Sequence, residues 1–90
     1  MFPKTLDGAE VIYYTEKNNF GSRYYTTGEI YDQVCYLAIC KYPNTSNEFY
    51  LFECNDSFEV ISDTLEETIL ACVKSASDIF GNDVSWIEFR

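Results

Sequence analysis

The sequence predicts an α+β domain, a two-layer sandwich in which an antiparallel sheet of about five to six strands carries one helix on one face. Three observations predict it. Runs of β-branched and aromatic residues separated by turn formers fill the first two thirds of the chain, one stretch of helical periodicity follows, and a short alternating run closes it. The expected order is β-β-β-β-β-α-β.

Val11 to Thr15 (Val-Ile-Tyr-Tyr-Thr) has the β-branched and aromatic character of a strand. A loop over Glu16 to Ser22, with Asn18, Asn19 and Gly21 as turn formers, leads to Arg23–Thr27 as its hairpin partner. Gly28 and Asp32 interrupt the next stretch, which reads as loop or a short helical turn. Val34 to Tyr42 is apolar without a break up to Lys41, the pattern of a central strand buried on both faces. Pro43 to Asn47 turns the chain, Phe49 to Cys54 returns, and Asn55-Asp56-Ser57 leads into Phe58 to Ser62. These three strands should form an antiparallel meander.

The helix is expected to begin at Thr64-Leu65-Glu66-Glu67, a capping box in which Thr64 and Glu67 satisfy free backbone donors, with acidic residues suiting the positive end of the helix dipole. Leu65, Ile69, Cys72, Val73, Ala76 and Ile79 or Phe80 recur at helical spacing and define the face that packs on the sheet. Gly81 supplies the stop, and Val84 to Phe89 forms the last strand.

Residues 1–90 make one domain, since a chain of this length has surface enough for one core only. Apolar residues are 47% of the chain and aromatics 18%, which excludes an intrinsically disordered chain. Fifteen Asp and Glu face six Lys and Arg, a net charge of −9. Phosphate backbones and anionic lipid heads are therefore poor partners, because both need clustered cations, and a basic protein is the favoured one. Acidity of this size also serves solubility alone. No apolar run approaches the roughly 20 residues of a membrane span and no signal peptide is recognisable, so the expected location is cytoplasmic. Cys35, Cys40, Cys54 and Cys72 sit within apolar patterns, as free thiols of a reducing compartment do. With no His and no Cys-x-x-Cys pair, neither a metal nor another cofactor is expected.

The absence of His also removes the commonest general base and every Ser-His or Cys-His arrangement. There is no phosphate-binding loop, and the cations are isolated rather than interleaved with aromatics. The chain reads as non-enzymatic.

The turns suggest a register. A four-residue loop at Asn44–Asn47 sets Ile39 opposite Phe52 and Ala38 opposite Glu53, and a three-residue turn sets Cys54 opposite Phe58 and Glu53 opposite Glu59. Leu37, Ile39, Phe52, Cys54, Phe58 and Val60 then share the face beneath the helix. The other face carries Tyr36, Ala38, Cys40, Leu51, Ile61, Glu53 and Glu59, joined by Trp86 and Glu88 if Ile87 and Phe89 turn to the core. Tyr36, Glu53, Glu59, Trp86 and Glu88 are the candidate partner-binding set. The alternatives are that the N-terminal segment, with Met1, Phe2 and Leu6, folds over that face, or that two copies pack there. Asp63, Glu66 and Glu67 at the helix start form a second candidate group.

From Phe49 to Trp86 the plan of an aromatic strand, a turn, Phe-Glu-Val-Ile-Ser-Asp-Thr, a Glu-rich helix and a final Trp resembles small uncharacterised bacterial proteins. The profile of a small, acidic, histidine-poor chain resembles bacterial immunity proteins, cytosolic inhibitors of toxins. That resemblance implies a domain covering the basic site of a toxin, with nucleases the best match in charge. The other readings are a structural or accessory homodimer and a DNA-mimic inhibitor of a nucleic-acid enzyme, the latter disfavoured by carboxylates scattered singly.

Overall fold

The computed structural model describes residues 1–90 and is an α+β structure. Its elements are β1 (Thr5–Leu6), β2 (Ala9–Tyr14), β3 (Ser22–Tyr24), β4 (Ile30–Gln33), β5 (Tyr36–Lys41), β6 (Phe49–Cys54), β7 (Val60–Glu66), α1 (Ile69–Phe80) and β8 (Ile87–Glu88). A curled antiparallel sheet runs in the order β1-β2-β5-β6-β7, with β8 pairing along the β1 side of β2. β3 and β4 form a separate two-stranded ribbon. Seven strands thus precede the helix instead of five, and the partner of β2 is β5, not Arg23–Thr27.

The predicted meander is present, and its central strand is the most buried element. Leu37, Ala38, Ile39 and Cys40 of β5 are fully buried. Leu37 and Ile39 join Leu51, Val34, Cys72 and Ala76 in the core beneath the helix. Ala38 and Cys40 face the other way, into a second core with Phe52, Cys54, Phe2, Leu6, Ala9 and Val11. Both sides of the sheet are therefore covered, the second by the N-terminal segment and the inward curl of β1 and β2.

The registers differ from those expected. Ile39 pairs with Leu51, Ala38 with Phe52 and Leu37 with Glu53. Continued past Cys40↔Tyr50, this pairing leaves five residues in the loop rather than four, and the Thr45 amide and hydroxyl both bond back to the Tyr42 carbonyl. A slip of one residue transfers every side chain of a strand to the opposite face. Phe52, Cys54 and Val60 consequently lie in the N-terminal core, while Leu51 and Ile61 lie under the helix.

The next turn is also longer. Cys54 pairs with Val60 rather than Phe58, and Glu53 with Ser62 rather than Glu59, with a bulge between. The buried Asn55 side chain shapes this turn, its Oδ1 accepting from the amides of Ser57 and Glu59, both at 2.9 Å. Phe58 takes a left-handed backbone (φ 61°), strained for a bulky residue, and its ring stacks on Tyr36 with centroids 4.5 Å apart.

The helix starts later than expected. Thr64 lies within β7 opposite Leu51, and the true cap is Thr68, whose hydroxyl accepts from the Ala71 amide at 3.0 Å. Sheet pairing holds the chain extended through Glu66 and overrides the local capping signal, so Asp63 and Glu66 are strand residues and the first helical turn has no acidic side chain. Gly81 ends the helix as predicted, with φ 94° and its amide bonded to Ser77.

Candidate protein-binding surface

The five residues expected to share one face are dispersed. Tyr36 lies half-buried on the N-terminal core, against Phe58 and edge-on to Phe2. Trp86 packs into the core beneath the helix. In the last strand Ile87 pairs with Tyr14 and Glu88 with Tyr13, so the predicted alternation is present but the faces are exchanged, Trp86 and Glu88 pointing to the helix side. Glu88 is exposed and pairs with Arg90 at 3.2 Å. Glu59 is exposed and accepts from Asn55 Nδ2 at 2.8 Å. Glu53 is only 1% exposed.

Glu53 is the counter-charge of the β3–β4 ribbon. Arg23, from β3, donates through Nε to Glu53 Oε1 at 2.6 Å and through Nη2 to Oε2, a two-point grip. The Glu53 contacts hold the Arg23 guanidinium above its ordinary pKa against the opposing cost of burial. Arg23 pairs across the ribbon with Asp32, which accepts from Asn55 Nδ2 at 2.8 Å. One side of the ribbon is thus bolted to the end of β6 by charge and hydrogen bonds.

The other side is apolar and open. Tyr24 alternates with Arg23 along β3 and pairs with Ile30, so the two share the outer side, 62% and 58% exposed. Tyr25 and Tyr31, the chain neighbours of Tyr24 and Ile30 and also exposed, lie with ring centroids 5.2 Å apart. The connecting loop closes with the Tyr25 amide donating to the Glu29 carbonyl at 2.9 Å, and Gly28 takes the positive φ (89°) that this tight return requires. Four of the large apolar residues that the molecule exposes therefore belong to one short ribbon. Sequence reasoning missed it because Gly28 and Asp32 look like breakers, although Arg-Tyr-Tyr and Ile-Tyr around Thr-Thr-Gly-Glu carry a hairpin's composition.

No protein-family model matches this chain, and comparison with the curated proteins and the solved structures finds no match.

Charge around these elements is one-sided. Lys17–Asp56, Arg23–Glu53, Lys74–Asp78 and Arg90–Glu88 are the ion pairs, and they engage only four of the fifteen carboxylates. Lys41 lies 5.8 Å from the Phe49 ring centroid. Asp63 and Glu67 are exposed, and Glu66 accepts from the Ser75 hydroxyl. Glu48, Glu66, Glu67, Leu65, Thr68 and Ala71 line, with Asn47, an open groove of about 980 Å³.

The thiols are placed as core groups. Burial raises all three of Cys40, Cys54 and Cys72, Cys54 to about 12 and Cys72 to about 11, from an ordinary value of 9.0. Thiolate nucleophiles depend on the opposite shift. No helix is long and apolar enough to cross a membrane.

Proposed function

We propose that the protein is a non-enzymatic acidic binding domain that grips a basic protein partner with the outer side of the β3–β4 ribbon, and that it serves in the cytosol as an immunity protein against a nuclease toxin. The observation that carries the reading is the concentration of Tyr24, Tyr25, Ile30 and Tyr31, all exposed, on one anchored ribbon of a molecule with a charge of −9. Tyrosine gives large contact area at small entropic cost and is enriched among the residues that dominate interface energies. Uncompensated carboxylates would speed and orient the approach of a cationic surface, and desolvated rings would hold it. The set Tyr36, Glu53, Glu59, Trp86 and Glu88 is replaced in this reading by the ribbon, with Glu29 as its exposed acid.

The test is calorimetric titration against the basic polypeptide encoded beside this chain, with rescue of cells that produce that polypeptide. Tight binding, weakened by salt and cut at least tenfold by Tyr24→Ala with Tyr31→Ala, is expected, together with rescue by the unaltered chain. Absence of binding would reject the reading. So would a solution dimer of this chain that buries Tyr24 and Tyr31, which would make the ribbon a self-association surface.

A further inference from the structure

β7 is the last strand of the sheet on its side and pairs only with β6. An antiparallel strand directs alternate N–H and C=O groups to each neighbour, so half of those in this seven-residue strand point away from β6. Outside the strand ladders, no backbone hydrogen bond involves residues 60–66. The outer edge of β7 is therefore unpaired.

The side chains along it are acidic and apolar. Asp63 and Leu65 pair with Phe52 and Tyr50, two residues apart and on the same side of the sheet, and both are exposed. Glu66 and Glu67 follow, and Leu70, 76% exposed, stands in the first turn of α1. The strand itself contains no Lys or Arg. Charged residues on an edge protect it from pairing with another copy of itself. In a β7–β7 pair they would bring like charges together, each chain carrying −9 overall. The same charges favour a cationic strand.

We infer that the β7 edge is a strand-addition site for an extended segment of a basic protein, one that sets Lys or Arg beside Asp63 and Glu66 and an apolar residue beside Leu65. Main-chain hydrogen bonds would give such a complex its affinity and the alternating side chains its selectivity. The site lies along the outer strand, apart from the ribbon, and stands or falls without it.

The probe is the capped peptide Lys-Val-Thr-Lys-Thr-Val-Lys, which sets Lys opposite Glu66 and Asp63 and Val opposite Leu65 in antiparallel register, titrated into the isotopically labelled full chain and followed by amide NMR. Shifts centred on residues 60–66, with slowed exchange at alternate amides of β7, are expected. The same peptide with Glu in place of each Lys should produce none. N-methylation of alternate peptide amides keeps the charge and removes the strand bonds, and should weaken binding more than tenfold. Asp63→Lys with Glu67→Lys, at exposed positions, should weaken it about tenfold. Tyr24→Ala should leave it unchanged. Equal binding by the N-methylated peptide, or shifts dispersed over the acidic surface, would reduce the contact to bulk electrostatics and overturn the inference. Concentration-dependent protection of β7 without peptide would assign the edge to a second copy and overturn it equally.

Discussion

The β5–β6 pair and the β3–β4 ribbon use the same kinds of residue to opposite ends. In the pair, apolar side chains fill both faces, from Leu37 and Leu51 under the helix to Ala38 and Phe52 beneath the N-terminal segment. In the ribbon, one side is polar and bolted down while the tyrosines and Ile30 are left outside. The pair is held by burial, and the ribbon by one ion pair and one carboxamide. Stability should therefore concentrate in the first and recognition in the second.

The largest effect that would sharpen this contrast is expected from Phe52→Ala or Leu37→Ala, each costing about 3–5 kcal/mol in urea denaturation, because both side chains are enclosed in a sheet core. Alkaline pH should act next, through the thiols of Cys40, Cys54 and Cys72. Their protons are bound more tightly in the folded state, so between about pH 9 and the raised folded values the unfolded chain holds fewer protons and stability falls as pH rises. Each thiol contributes about 1.4 kcal/mol per pH unit in that window. Below pH 9 this contribution is flat, and equilibrium unfolding across pH 7 to 11 measures it.

Arg23→Met should cost about 2–3 kcal/mol, less than breaking a wholly enclosed pair, because the 41% exposed Arg23 side chain leaves water a path to Glu53. Hydrogen exchange should then accelerate in β3 and β4 before β5 and β6. An Arg23→Met, Glu53→Leu double variant should recover most of the loss. Thr68→Ala should cost about 1 kcal/mol through the helix cap. The smallest effect is expected from Tyr24→Ser, within about 0.5 kcal/mol by thermal or chemical unfolding. A loss of several kcal/mol there would break the contrast, since the ribbon's outer side would then be structural.

How much could be read in advance depended on the range of the interactions involved. The unbroken apolar run to Cys40 marked β5, and Gly81 marked the helix end, because each signal lies within the element it describes. Face assignments failed because they depended on loop parity. One extra residue between Tyr42 and Glu48, and a turn organised by the Asn55 side chain, exchanged the sides of Phe52, Glu53 and Val60. The short β1 carries a local signal in Asp7-Gly8, whose positive φ values of 49° and 82° suit a two-residue hairpin. Of the candidate contacts, Glu53 could not be placed from sequence at all. Its partner stands thirty residues away, and nothing local distinguishes a carboxylate destined for burial from its fourteen counterparts.

The Asn55 carboxamide reaches in two directions, to Asp32 of the ribbon and to Glu59 just before β7. It is a mechanical link as well as a turn former. Alongside the Arg23–Glu53 grip, it ties the ribbon to the turn that launches the outer strand, so a shift of the ribbon is felt at the root of β7.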